Sequence, residues 1–183
     1  MVKHRSIQEL EAGLPLIKQS PKQEGKLELI VRRPSVEERE IISQGKVDLT
    51  IGLEGDNWQA RGSKTTPDGS ANIETQITLM NSRVIQLLTQ DKNLWQWAGD
   101  QLYVDLDLSE ENLPAGTRLS IGTAVIEVTA TPHTGCKKFS ARFGLDALKF
   151  ISASENKSLR LRGINARIIQ PGEFKTGDLV QKI

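Results

Sequence analysis

Thr117-Arg-Leu-Ser-Ile-Gly122-Thr-Ala-Val-Ile-Glu-Val-Thr-Ala-Thr131 is two β-rich runs with one glycine between them. Gly122 suits the tight connection of a hairpin between them. Working outward, Leu161–Gln170 and Asp178–Ile183 read as strands separated by the turn signal Pro171-Gly172. On the other side, Leu102–Leu108 alternates as a strand and runs into a turn over Ser109–Leu113, closed by Pro114. Gln76–Met80 is a further strand, with Asn81 placed to cap a helix carrying Val84, Ile85, Leu87 and Leu88. Residues 26–33 also alternate, with Leu27, Leu29 and Val31 on one side. Many short strands with glycine-rich joints, and no regular alternation with long helices, predict a mostly β fold with a few helices, a barrel or sandwich.

The rest of the chain fills in around those strands. Ser6–Leu14 fits a short helix, and 18–25 a polar loop broken by Pro21 and Gly25. Ser35-Val-Glu-Glu38 has the capping-box pattern and predicts a helix from about Ser35 to Ser43. Residues 47–70 are rich in Gly, Asp, Asn, Ser and Thr and read as a long irregular stretch. Phe143–Ile151 has helical spacing, and Pro132-His-Thr-Gly-Cys136 is a loop. The expected organisation is a partly helical extension over 1–25 and one domain over 26–183.

The chain has 183 residues, enough for one domain with a real core. Charged residues make up 26% and the net charge is +1, a balance that argues against a dedicated nucleic-acid binder. No apolar run is long enough to span a bilayer, and the basic start lacks the apolar stretch of a signal peptide. The cytoplasm is therefore the expected compartment. A single cysteine forms no internal disulfide, so packing must supply stability.

That cysteine, Cys136, is the strongest chemical candidate. It stands at or near a helix start, followed by Lys137 and Lys138, with Arg142 six residues on. A helix N-terminus and nearby cations both favour the thiolate, which is a nucleophile, a soft metal ligand and a carrier of persulfide. The alternative is a buried, inert cysteine. His133 is placed to act as base or hydrogen-bond partner to the thiol, or simply faces solvent. Glu54, Asp56 and Asn57 sit among Gly52 and Gly55, where backbone N–H groups can meet an anion or merely form an Asx turn. Arg160 and Arg162 share a face if extended and are phosphate-binding candidates or a solvated strand face. Trp58, Trp95 and Trp97 read as core or lid packing. A structural zinc site lacks ligands, with only Cys136, His133 and the distant His4. The P-loop, dinucleotide and nucleophile-elbow patterns are absent.

Six segments, in order, carry a resemblance: Gly52-Leu-Glu-Gly-Asp-Asn-Trp58, Gln76-Ile-Thr-Leu79, Glu111-Asn112-Leu113, Pro132-His-Thr-Gly-Cys-Lys-Lys-Phe139, Arg142-Phe-Gly144, and Arg162–Gly172 followed by Gly177-Asp178. Together, from about Lys26 to Val180, they resemble the MOSC domain, named for the C-terminal domain of molybdenum cofactor sulfurase. The resemblance implies a β-barrel of MOSC type and one reactive cysteine at Cys136. It also implies binding of the molybdenum cofactor's pyranopterin, or handling of its sulfur. In amidoxime-reducing members the matching cysteine ligates molybdenum, which makes Cys136 the expected metal ligand. Some stand-alone members confer resistance to hydroxylated purines. The pyridoxal-phosphate domain of the sulfurases is not in this sequence, so no pyridoxal phosphate is expected in this chain.

Two roles follow as expectations. In the first, Cys136 binds molybdenum or carries sulfur in a pocket lined by the 52–58 loop, the 109–113 turn and the 133–142 segment, with reduction of N-hydroxylated compounds drawing on external electron-donor proteins. Asp56, Gln76 and Asn112 are the expected polar contacts, Lys137, Lys138, Arg142 and Arg162 the anion holders, and His133 the group that orients or deprotonates the thiol. In the second, the chain is a non-catalytic module that binds cofactor or delivers it to a partner enzyme.

Overall fold

A computed structural model describes residues 2–183. In chain order its elements begin with α1 (Ile7–Lys18), β1 (Glu24–Arg32), β2 (Glu40–Ile42), β3 (Gln44–Asp48), β4 (Gly52–Leu53) and α2 (Trp58–Arg61). There follow β5 (Ile77–Asn81), α3 (Ser82–Leu88), β6 (Leu102–Asp105), β7 (Arg118–Ile121) and β8 (Ala124–Val128). The chain ends with α4 (Lys137–Phe143), α5 (Leu145–Ser152), β9 (Ile164–Gln170), β10 (Gly172–Lys175) and β11 (Leu179–Lys182).

Seven strands close into a barrel in the order β1-β6-β5-β9-β8-β7-β11, with β11 returning to β1 and β2 appended outside β1. Every pairing in it is antiparallel except β5 with β6. A parallel pair needs a crossover. Here the crossover is α3 followed by a 3-10 helix over Lys92–Ala98. Its last residues, 97–100, become the hub of the site described below. A small sheet, β10-β3-β4, packs beside the barrel.

The hydrophobic core has two parts. Leu27, Ile30, Ile77, Leu79, Val104, Ile126 and Ala166 fill the barrel interior. Leu10, Leu29, Val31, Met80, Val84, Tyr103, Phe139 and Phe150 pack the helices against its outer wall. β1 serves both parts because its register with β6 shifts between Leu27 and Leu29. The irregularity puts Leu27 and Ile30 inside and Leu29 and Val31 outside, so the single apolar face expected from simple alternation is split in two. Both faces of this strand are covered.

Several local expectations hold. The hairpin turns at Gly122, whose φ is 56°, and Asn81 Oδ1 caps α3 by accepting from Arg83 N at 2.8 Å. Others are corrected. The helix expected over 35–43 is a turn followed by β2, which pairs Ile30 with Ile42 and Arg32 with Glu40. Glu37 has φ 65°, which is incompatible with a helix there. The irregular 47–70 stretch contains β3's end, β4 and α2, because β3 finds a partner in β10 far along the chain. The helix expected over 143–151 is present as α5, and a further helix, α4, precedes it across Gly144. α1 is capped by the Ser6–Glu9 box and runs on through Pro15 to Lys18. Its Leu10 is fully buried, so the N-terminal segment is part of the helix-side core.

Candidate functional site

Cys136 is the N-cap residue of α4, in extended backbone, and its thiol is exposed with no capping hydrogen bond. The loop that delivers it lies close against α5. A Cβ on Gly135 would meet Leu148 Cδ1 at 2.5 Å. On the other flank of the loop, Asn165 Nδ2 donates to Thr131 O at 3.0 Å, tying it to β9. The loop is therefore held at both ends while the thiol stays open to solvent.

His133 is brought to a buried carboxylate that sequence reasoning passed over. Its Nε2 lies 2.6 Å from Asp100 Oδ1, and Arg162 Nη1 donates to Asp100 Oδ2 at 2.5 Å. The Asp100 side chain is wholly buried. Burial opposes its ionisation, but Arg162 and His133 overcome that and hold its pKa below the ordinary range. Burial first, and then the positive charge of Arg162, push the His133 pKa below its ordinary value. A neutral His133 beside an ionised Asp100 donates from Nε2, which leaves Nδ1 as a lone-pair acceptor. Gly163, at φ 116°, permits this approach: a Cβ there would lie 2.2 Å from Leu79 O and 3.2 Å from His133 Cδ2.

The carbonyls at the end of the crossover organise three arginines. Trp97 O accepts from Arg142 Nη1 at 2.9 Å, Ala98 O from Arg162 Nη2 at 2.9 Å and Gly99 O from Arg33 Nη1 at 3.1 Å. A helix C-terminus leaves such carbonyls without partners, and cations are favoured there. Arg33 in turn grips Asp56, with Nε and Nη2 each 2.9 Å from its two oxygens. Arg162 also lies over the Phe139 ring at 5.2 Å, which links α4 to β9's approach. Arg142 Nη2 donates to Glu37 Oε2 at 2.6 Å, and Lys138 pairs with the same carboxylate. Arg39 lies within 6.0 Å of the Trp97 ring centre, and burial together with Arg142 and Arg33 pulls its pKa down.

The sequence-derived candidates separate into groups. His133, Arg162, Arg142 and Lys138 join one network with Arg33, Arg39, Asp56, Asp100 and Glu37. Lys137 is exposed, with no ion pair among the described residues. Asp56 is in the network but its oxygens already serve Arg33 and backbone N–H groups. Gln76 bonds Leu49 O and Ile168 N, and Asn112 bonds Lys22 O, Asp107 O and Lys182 Nζ. The side chains of these three polar residues tie the fold together. Of the expected pocket walls, the 109–113 turn (through Glu110) and His133 line one cavity of about 410 Å³, while the 52–58 loop and residues 136–142 do not. Asp100 and Arg33 left little signal: one sits in a Gly-Asp turn and the other ends a strand.

A family model described as the MOSC domain matches residues 69–181. The chain belongs to the MOSC domain family. Its structure is similar to that of the YuaD protein from Bacillus subtilis, with TM-score 0.60 and 18% identity over 87% of this chain and 95% of that one. It is also similar to YiiM from Escherichia coli, with TM-score 0.55 and 16% identity over 86% of this chain and 69% of that one. YiiM from Geobacillus stearothermophilus gives 0.52 and 14%, over 90% and 74%. At these identities the likeness is one of fold. No curated protein sequence matches the chain.

In this MOSC domain the network carries five cations, Arg33, Arg39, Arg142, Arg162 and Lys138, against the three carboxylates of Asp56, Asp100 and Glu37. Arg39 Nε and Arg162 Nε are buried without a protein acceptor. Buried donors of this kind are rare and call for a partner. Among the described residues no group of three or more His, Cys, Asp or Glu forms a metal cage. A metal that arrives in its own organic cofactor needs only one soft protein ligand, and Cys136 is available for that. No helix among the described residues is long and apolar enough to cross a membrane.

Proposed function

We propose that this MOSC domain acts through Cys136, binding a molybdenum cofactor or carrying sulfur as a persulfide. The observation that carries the reading is an exposed thiol at the start of α4, beside a network whose cations outnumber its carboxylates. Cys136 would be the metal ligand. Lys137, Lys138, Arg142 and Arg162 would hold the anionic parts of the cofactor, with Arg33 and Arg39 adding positive potential. Asp56, Gln76 and Asn112 act as struts rather than as first contacts. When bound, the cofactor would supply redox and sulfur chemistry; the chain's own part would be to fix it, with His133 as the group that would accept a proton. Reduction of N-hydroxylated compounds would draw on separate electron-donor proteins.

The exposure of the thiol favours one further reading, a carrier or delivery module. A thiol open to solvent is reachable by a partner protein's sulfur or cofactor. The test is the molybdenum and pterin content of protein purified from a host that makes the cofactor, wild type beside Cys136→Ser. Near-stoichiometric molybdenum and pterin, with metal lost in the variant, support cofactor binding. Neither component in either protein removes that reading, and persulfide labelling of Cys136 then decides the sulfur-carrier one.

A further inference from the structure

The cavity of about 410 Å³ lies on the side of the 129–135 segment formed by α5's end, the 3-10 helix Ser154–Leu159 and the start of β9. Its size falls within the range of small-molecule sites. Cys136 is not among its lining residues, so what it binds is a separate question from the role of the thiol.

The charges around it are specific. Arg162 lines it but is neutralised by Asp100. That leaves Lys157 and Arg160 against the carboxylate of Glu110, a surplus of one positive charge. Arg160 is held in an unusual backbone conformation, with φ 49°, and its Nη1 donates to Leu113 O at 2.6 Å. Left-handed backbone at an arginine is uncommon and tends to mark functional positions. With Nη1 used, the Nε–Nη2 edge of the guanidinium has no protein acceptor among the described residues. That edge is the one that takes a carboxylate through two parallel hydrogen bonds. The remaining wall includes Ile151, Leu161 and Ile164, which suits an apolar body, and the His133 ring.

We propose that this cavity binds a small organic monocarboxylate, its carboxylate on Arg160 and Lys157 and its apolar body against Leu161 and Ile164. A single surplus charge matches a monoanion better than a phosphate dianion. Glu110 weakens the site by competing for Arg160, and the lack of Cys136 in the lining makes binding independent of the thiol.

The test is a titration of the full chain, followed through backbone amide shifts, with benzoate as probe and benzamide as its neutral counterpart. Benzoate is expected to shift amides in 131–135 and 157–164 and to bind at least fivefold tighter than benzamide, since only it forms the charge-assisted pair. Arg160→Gln should weaken benzoate roughly tenfold, the size of one such hydrogen bond. Lys157→Gln, at an exposed position, should weaken it by about threefold, and Glu110→Gln should tighten it about as much. Cys136→Ser should leave it unchanged. Equal binding of benzamide, shifts confined to other segments, or no effect of Lys157→Gln would each overturn the proposal. Lys157→Gln decides it even if Arg160→Gln fails to fold. Loss of benzoate binding in Cys136→Ser would overturn the separateness of the site and return the cavity to the thiol.

Discussion

Two buried aspartates, Asp56 and Asp100, each hold an arginine, and they do it differently. Asp56 accepts four hydrogen bonds, from Arg33 N, Nε and Nη2 and from Trp58 N. That saturates a carboxylate's roughly four acceptor positions. Asp100 accepts two, one from Arg162 and one from His133. Both side chains are fully buried and both arginines are 8% exposed. The saturated carboxylate has nothing left to offer a ligand and fastens the 52–58 loop to the end of β1. The unsaturated one shares its charge with a titratable ring that lines a cavity. Burial and charge do not separate these two groups; the number and kind of their partners do.

The largest expected effect comes from breaking the saturated member. Asp56→Ala strands the Arg33 guanidinium and two backbone N–H groups, at a cost of about 4–5 kcal/mol. Asp100→Ala strands Arg162, whose Nε is already without an acceptor, and should cost about 3 kcal/mol. Urea denaturation of the two variants checks the order. If Asp100→Ala is the more damaging, the distinction between a structural staple and a shared carboxylate is lost. Replacing the whole second pair, as in Asp100→Leu with Arg162→Met, should recover stability relative to Asp100→Ala, because no buried charge is left unpaired.

Much of this contrast was out of reach of the sequence. Alternation located β1 and β6, and β-rich composition located β5 and the β7–β8 hairpin around Gly122. It misjudged 35–43, where a capping-box pattern at Ser35 and Glu38 was overridden by the pairing of β2 with β1. It could not see β10, whose partner β3 lies more than a hundred residues away. Cys136 and His133 stood out because their residue types carry chemistry anywhere. Asp100 did not, since Gly99-Asp100 reads as an ordinary turn and only the crossover brings it to His133. Gln76 was an expected polar contact of the cofactor pocket, yet its amide spans the gap to Ile168 N.

The next effect is one of pH. His133 is buried and held below the ordinary histidine value of 6.5, with Asp100, Arg162 and Arg33 facing it. The unfolded chain therefore takes up the proton first as pH falls. Stability from this group is intact above about pH 7 and declines as pH drops through the ordinary histidine range, by up to about 1.4 kcal/mol per pH unit. Asp100, whose pKa is lowered, loses its contribution only at more acid pH, as pH falls from the usual carboxylate range down through its own lower value. His133→Gln keeps a donor for Asp100 and should flatten the decline between pH 7 and 5. A wild-type stability curve already flat in that window would mean that His133 is not held neutral by its surroundings.

The smallest effect concerns the third carboxylate of the network, and it sharpens the contrast by moving it to the surface. Glu37 is exposed, and Lys138 and Arg142 hold its pKa below the ordinary carboxylate value. It is no staple, since an exposed ion pair contributes little to stability. What it does is neutralise two cations beside the exposed Cys136 thiol. Glu37→Gln keeps the side-chain size and uncovers that charge, so a negatively charged reagent should be drawn to the thiol more strongly. Reaction of Cys136 with the anionic disulfide 5,5′-dithiobis(2-nitrobenzoate) should speed up about two- to threefold at low salt and lose that gain at high salt. Reaction with neutral iodoacetamide should change less, and the midpoint of urea unfolding should hardly move. Equal acceleration of both reagents would point to a rearranged loop instead of an uncovered charge. A large loss of stability would place Glu37 with Asp56 among the fastenings of the fold.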